Sequence, residues 1–396
     1  MQESRQATAA GEPPSTARDA SDEALRSTGS APLRITWVLP DANLGGGTKM
    51  VRQLAEQLQA RGHRCQILYL ASTRSAPPLW RPRRFGRYLL QRWRLRGTES
   101  DHLQAARVPT VALRGSRIRH DQAPDADLVI ATWWETMEWI RDWPASKGRR
   151  AYYIQHHELH AGDVERVKAT YRVPALQIVI SRWLRDVLRD QYGSECPVLV
   201  PNGLDFEQFD APVRGRAAVP TVGLMCSPKR WKRTELALAA IEQVRTRLPA
   251  LRVVGFGDMP LSTLGDVPRG LEFTLRPPQD RIADIYRSCD AWVIASDLEG
   301  FGMPGLEAAA CRCPVVATRC GGPEDYVTDG VSGRLVRPGD ADALSAALLE
   351  VLQLSPDAWR AMSDASHAAA RRFDWAPSVR ELERAAQEYV GRPARD

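Results

Sequence analysis

Apolar residues recur along this chain in two alternating patterns. "LRITWVLP" is an almost unbroken apolar run and predicts a buried strand from Leu33 to Leu39. "DANLGGG" reads as a loop. In "TKMVRQLAEQLQARGH" the apolar positions Met50, Val51, Leu54, Ala55 and Leu58 return at the spacing of one helix face, and Gly62 suits the stop. "RCQILYL" is short and apolar again, a second strand. Strand, helix, strand is the unit of a parallel sheet.

The rhythm continues. "DLVIATW" (127–133), "RAYYIQ" (150–155), "LQIVIS" (176–181) and "CPVLVPN" (196–202) are predicted strands, with helices such as "RWLRDVLRDQYG" between them. Near Pro201 it starts afresh with strand "PTVGLMC", helix "KRTELALAAIEQVRTRL" and strand "LRVVGFG". Helix "DRIADIYRSC", strand "DAWVIAS", helix "PGLEAAACR" and strand "CPVVATR" follow. Two α/β halves fit better than one, at 33–200 and 201–375. "PSVRELERAAQEYV" predicts a helix in the last segment, 376–396. Residues 1–32 are rich in Ser, Ala, Pro and Glu without an aromatic residue, and predict a disordered tail.

Composition narrows the class only a little. The 396 residues allow two or three domains, and 43% apolar content supplies ordinary cores. A net charge of +6 and a pI near 9.0 suit an anionic small ligand, an anionic membrane or nucleic acid, and choose none of them. Seven cysteines are scattered, odd in number and without a CxxC pair. Reduced thiols fit better than disulfides or a zinc site. No apolar run approaches the ~18 residues of a membrane span, and no basic-then-apolar start is present. The expectation is a soluble, cytoplasmic protein.

The candidate chemistry starts at "LEGFGMPGLE" (298–307). Pro304 suits the first position of a helix. Glu299 then sits in a strand-to-helix loop and Glu307 about one turn inside the helix. Ligands of open parallel sheets bind outside the carboxyl ends of the strands, so both glutamates would face such a crevice. Gly300, Gly302 and Gly305 would let backbone N–H groups approach a ligand. The plain alternative is acidic residues that merely favour the helix dipole. One strand later, "CGGPEDYVTDGVSGRLVRPGD" (320–340) places Gly321 and Gly322 before a short helix, a start that suits a diphosphate. The triple glycine 45–47 lacks GxGxxG spacing, which argues against a dinucleotide fingerprint.

With "NLGGGTKMVRQLAEQLQARGH", "SRWLRDVLRDQYG", "VPNGLDFEQF", "LRVVGFG", the long run from "IYRSCDAWVIAS" to "LVRPGD", and "FDW", the chain resembles the family 4 glycosyltransferases. These are retaining enzymes of the GT-B fold, two Rossmann-like doubly wound α/β domains facing a cleft. The resemblance runs from about Ile35 to Tyr389. It implies an acceptor-side N-terminal domain, a nucleotide-sugar-binding C-terminal domain, and a terminal helix packing back on the first. Glu299 would contact the donor sugar near the reaction centre, and Glu307 the ribose hydroxyls. Backbone N–H groups of Gly300, Phe301, Gly302 and Met303 would also touch the sugar. Gly46 and Gly47 would lie near the diphosphate from the opposite domain. Two cations usually replace a metal ion against that diphosphate. Lys232 matches one of them. Ser227 stands where the other, an arginine, is expected, so Lys229 or Arg230 would substitute. These cations otherwise read as a solvated basic helix start, but cations there oppose the dipole, which makes a bound anion the more economical reading.

The family's sugar-contacting histidine falls within "YYIQHHELH", on Gln155, His156 or His157; His156 is the choice taken. The alternatives are a polar strand end, or a zinc site from His156, His157 and His160, of which only His156 and His160 have i, i+4 spacing and no HExxH is present. Trp134 and Glu135 in "ATWWETMEWI" are expected at the acceptor side, with core packing of a tryptophan as the rival. "LWRPRRFGRYLLQRWRLRG" (79–97) holds seven arginines and no acid. An anionic membrane surface is preferred there over nucleic acid, at about 1 kcal/mol per cation, and stands level with a solvated loop.

The implied function is retaining transfer of a sugar from a nucleotide-diphosphate sugar to a glycan or lipid-linked acceptor, in surface polysaccharide or lipopolysaccharide assembly. No cofactor or metal is expected, nor nucleic acid as partner, and the protein would sit in the cytoplasm or on the inner face of its membrane. A same-fold phosphorylase, a sugar-nucleotide epimerase and an inactive glycan- or membrane-binding scaffold are the rivals.

Overall fold

The computed structural model describes residues 31–43, 45–71, 102–264, 267 and 270–393. Nearly all of the expected tail and the whole basic stretch 79–97 lie outside the described residues. The first half runs β1 (Arg34–Leu39), α1 (Gly46–Ala60), β2 (Arg64–Leu70), β3 (Thr110–Leu113), β4 (Leu128–Ala131) and α2 (Trp134–Ile140). It continues with β5 (Arg149–Ile154), α3 (Val164–Thr170), β6 (Leu176–Val179), α4 (Arg182–Tyr192) and β7 (Val198–Leu199). The second half has β8 (Thr221–Met225), α5 (Thr234–Arg247), β9 (Arg252–Gly257), β10 (Leu271–Leu275), α6 (Ile282–Arg287) and β11 (Ala291–Ile294). Then come α7 (Met303–Ala310), β12 (Val315–Thr318), β13 (Gly333–Val336), α8 (Ala341–Gln353), α9 (Pro356–Ala370) and α10 (Trp375–Gly391).

Each half forms one sheet, and every pairing within it is parallel. The orders are β3-β2-β1-β4-β5-β6-β7 and β10-β9-β8-β11-β12-β13. Helices on both faces explain why β4, β11 and β12 are buried along their whole length. In each sheet the strand order reverses once, between β1 and β4 and between β8 and β11. Such reversals open a crevice at the carboxyl ends of the strands. This is the two-domain GT-B architecture.

The chain crosses between the halves twice, and the crossings lie side by side. Leu204 N–H donates to the Phe373 carbonyl at 2.8 Å, and the Trp375 ring packs so tightly on Gly203 that a Cβ there would lie 2.3 Å from it. Past this hinge α10 returns to the first domain. Its Glu383 accepts from Arg61 Nε at 2.8 Å and from His63 Nε2 at 3.0 Å. His63 Nδ1 accepts the Leu33 N–H, which fixes Nε2 as the protonated nitrogen. One apolar cluster runs from the first sheet across to Phe301, Tyr326 and Trp375, and a second lies under α5, α8 and α9.

Candidate active site

The C-terminal half of the cleft is built on two loops at the β8/β11 reversal. After β11 the chain turns through Ser296 and Glu299 into α7. Glu299 N–H donates to the Cys320 carbonyl at 2.7 Å, and its own carbonyl accepts from Gly322 N–H at 2.9 Å, so the loop is stitched to the one after β12. The carboxylate is buried, 6% exposed. Lys232 Nζ, from the turn after β8, donates to its two oxygens at 2.6 and 2.8 Å, and Ser296 Oγ donates at 2.6 Å. Burial pushes this carboxyl up, but Lys232, the Ser296 hydroxyl and His156 outweigh it and hold Glu299 below its ordinary value, ionised.

Glu307 lies one turn into α7 and is also buried. Tyr286 Oη donates to its Oε2 at 2.8 Å, and Lys49 Nζ from α1 stands 3.7 Å from Oε1. Here burial wins: the carboxyl is raised, with Lys49 and Tyr286 only opposing the shift. Gly302 starts α7 in the left-handed region, φ 78°, and its carbonyl accepts from Tyr326 Oη. The amides of Gly300, Phe301, Gly302 and Met303 donate to no described residue. The Phe301 side chain is core, packed on Tyr326 and Phe373, so only its backbone faces the cleft.

The N-terminal half sits at the β1/β4 reversal and at the end of β5. Asn43 Oδ1 accepts from Gly45 N–H at 2.7 Å and Thr48 Oγ1 at 3.2 Å, which sets the start of α1. The Gly46 and Gly47 amides are left without a described acceptor, as the first turn of a helix leaves them. The end of β5 touches the other domain. A Cβ on Gly300 would lie 1.8 Å from the Gln155 carbonyl, so glycine here permits the domains to close.

The three candidates for the histidine role separate. His157 is buried, its Nε2 bonded to Tyr192 Oη at 2.8 Å, a structural position. Gln155 makes its contact to Gly300 through backbone. His156 donates from Nδ1 to the His157 carbonyl at 3.1 Å. Its Nε2 is buried with no hydrogen-bond partner among the described residues, and the nearby Glu299 charge and Leu298 carbonyl only oppose the effect of burial on the ring. Burial lowers its pKa, so Nε2 is a free acceptor at neutral pH. His160 stacks on Trp231 of the opposite domain, ring centroids 4.1 Å apart. Among the described residues no group of three His, Cys, Asp or Glu is placed to hold a metal.

Ser227 is a loop former: its N–H donates to Thr234 Oγ1 and its Oγ accepts the Lys229 N–H. Lys229 shares the field of Lys232, Asp258, Glu299 and Asp41, and partial desolvation followed by Lys232 lowers its ammonium pKa. Arg230 does not figure in that set.

Two expectations are corrected. Trp134 is a packing residue, 4% exposed, with Gly162 so close that a Cβ there would lie 2.4 Å from the ring. It cannot stack on an acceptor without unpacking α2. Its neighbour Glu135 is half-buried, raised by burial and then by Glu138. The Gly321–Gly322 loop is not an anion cradle either. A Cβ on Gly321 would strike the Trp183 ring and one on Gly322 the Phe301 backbone, and the Gly322 amide is already taken by Glu299. These glycines serve close packing. Lys49, Ser296, Tyr286 and the buried Glu158 were missed. Lys49 in sequence is indistinguishable from a solvated lysine, Tyr286 lies 21 residues from Glu307, and Ser296 and Glu158, though near their partners in sequence, carry no pattern that marks them as buried.

Two family models match consecutive parts of the chain: Glycosyltransferase Family 4 over 44–208 and Glycosyl transferases group 1 over 217–354. A D-inositol 3-phosphate glycosyltransferase of Nocardiopsis dassonvillei is 33% identical over 49% of this chain, and the match spans about half, 51%, of that relative. The enzyme of that name from Corynebacterium jeikeium is 27% identical over 87% of this chain and 92% of its own. Among solved structures, Anabaena HepE in complex with UDP and glucose superposes with a TM-score of 0.68 over 90% of this chain and all of its own, at 17% identity, a likeness of fold. The two models abut near the first crossing, at the seam between the domains, and the chain belongs to the family 4, group 1 glycosyltransferases.

Proposed function

We propose that this glycosyltransferase takes its sugar from a nucleoside-diphosphate sugar and passes it, with retention, to a hydroxyl of a glycan or lipid-linked acceptor. The observation that carries the reading is the buried Lys232–Glu299 pair facing the free Nε2 of His156 across the closed cleft. In this reading Glu299 and His156 accept hydrogen bonds from the donor sugar, beside the amides of Gly300 to Met303. Glu307 takes the ribose. The Gly46 and Gly47 amides, at the positive end of α1, meet the diphosphate with Lys232 and Lys229. Lys229 then fills the place that Ser227 leaves without charge, and no metal is required. Catalysis comes from positioning the acceptor hydroxyl and stabilising the departing diphosphate, whose oxygen takes the acceptor's proton on the same face.

The acceptor enters past Asp41 and Glu135 on the N-terminal side. The relatives' names make a polyol phosphate one acceptor class to assay beside lipid-linked glycans in polysaccharide assembly. Contact with an anionic membrane rests on the arginines of 79–97. No helix of the described residues is long and apolar enough to cross one.

A thermal-shift panel of UDP, GDP, dTDP, CDP, ADP and their sugar conjugates tests the donor site. Ligand at about 100 times its Kd stabilises by roughly 2.7 kcal/mol. One base class should shift the midpoint, and Glu307→Ala should abolish the shift. Silence of a folded sample across the panel overturns the reading.

A further inference from the structure

Lys49 lies in the stretch after the triple glycine but was given no role there, and its position calls for an explanation. It projects from the first turn of α1 in the N-terminal domain, with its side chain only 13% exposed. The ammonium lies over the Phe209 ring, 5.2 Å from its centroid, and 3.7 Å from Glu307 Oε1 in the other domain. We propose that Lys49 is a positioning residue for the nucleotide: its ammonium reaches across the cleft to Glu307 and makes the ribose grip of the C-terminal domain depend on closure of the two domains. This inference rests on the donor reading above.

The physical case is the state of Glu307. A carboxylate accepts from both hydroxyls of a ribose, whereas a carboxylic acid has turned one oxygen into a donor. Burial drives Glu307 toward the acid form. The groups facing it are Tyr286 from α6, Lys49 from α1, Cys311 at the end of α7 and Tyr326 after β12. Burial holds both phenols and the thiol neutral, so among these four only Lys49 brings a positive charge. When the domains part, α1 withdraws that charge. In the closed cleft Lys49 therefore favours the carboxylate against that burial, and a nucleotide that needs the carboxylate favours the closed arrangement in return.

The test titrates UDP, GDP and ADP against the full chain at pH 6, 7.5 and 9, and carries the tightest binder into Lys49→Met and Lys49→Arg. Lys49→Met should weaken it about tenfold at pH 6 and by progressively less toward pH 9, as Glu307 gives up its proton. Lys49→Arg should restore the wild-type profile and guards against a folding defect. The 2′,3′-dideoxy form of the same nucleotide should bind wild type and Lys49→Met alike. An equal loss at all three pH values, or a loss that persists with the dideoxy nucleotide, marks a phosphate contact or a structural role and overturns the inference. Unchanged binding by Lys49→Met overturns it too, while a wild-type chain that binds none of the three nucleotides refutes the donor reading itself.

Discussion

The two sides of the cleft are built by different means. The C-terminal side is made of polar and charged side chains already bonded to each other: Lys232 with Glu299, Tyr286 with Glu307. The N-terminal side offers free backbone amides at the start of α1, the Gln155 carbonyl and one unpaired imidazole nitrogen. Two buried glutamates condense the contrast. Glu299 is kept ionised by an ammonium in contact with it. Glu158, two residues after His156, has no cation, and burial pushes its carboxyl up to about 8. A preorganised charge needs a partner built beside it; a carboxyl buried with neutral donors alone keeps its proton.

The largest way to break this comparison is to remove the partner. Lys232→Met leaves the Glu299 carboxylate buried without its ammonium, a change that typically costs about 3–5 kcal/mol. It also removes a cation from the diphosphate, for a further loss of about 10²–10³ in kcat. Urea unfolding and steady-state kinetics read the two effects separately. Adding Glu299→Gln should return much of the stability and none of the activity. A double variant no more stable than Lys232→Met would show that the pair is not coupled.

Gly300→Ala attacks the meeting of the two sides rather than either one. The new methyl would overlap the Gln155 carbonyl, so the domains must stand off and loosen the apolar cluster that spans them. A displacement of about 1 Å at the reacting groups can cost about 10²-fold in turnover. We expect that loss in kcat with a midpoint of unfolding only modestly lowered, because the second cluster under α5, α8 and α9 is untouched. Normal turnover would mean that catalysis does not use this closed contact.

The same contrast explains what could be read from the sequence. Glu299 and Glu307 stand at a fixed spacing around a strand-to-helix loop and were legible together, while Lys232, 67 residues before Glu299, was legible only through the family resemblance. The central strands were legible too, because β4, β11 and β12 are buried along their length and read as apolar runs. The edge strands β3 and β10 were not, since neither has a fully buried residue and their composition is that of a loop. α2 was taken as the end of a strand because Trp133 and Trp134 extend the apolar run of β4 past its true end at Ala131. Gly321 and Gly322 serve another role than expected, and Gly300 has a second one, for one reason. A glycine that admits a ligand and a glycine that admits another loop look alike until the other loop is in place. Lys49 was invisible because its partner lies on another domain, 258 residues away by the numbering of Glu307 and Lys49 (307 − 49).

The effect spread over the widest range of conditions is also the one that sharpens the contrast most. Glu158 Oε2 accepts from Trp134 N–H at 2.8 Å and Tyr152 Oη at 3.1 Å, while Oε1 has no partner. Its N–H donates to Tyr171 Oη. The folded pKa of about 8 lies above the ordinary 4.5, so between those values the unfolded chain has released a proton that the folded chain still holds. Stability must then fall as pH rises from about 4.5 to about 8. Glu158→Gln keeps the accepting oxygen and removes the titration. Near pH 5 the variant should be slightly less stable, because its amide leaves an unpaired N–H worth about 1 kcal/mol. As pH rises the wild type loses stability and the variant does not, so the two curves should cross, with the variant ahead at pH 8.5. Urea unfolding at pH 5, 6.5 and 8.5 reads the crossing. Parallel curves would mean that Glu158 is ionised in the folded protein, and that both sides of the cleft hold buried charge after all.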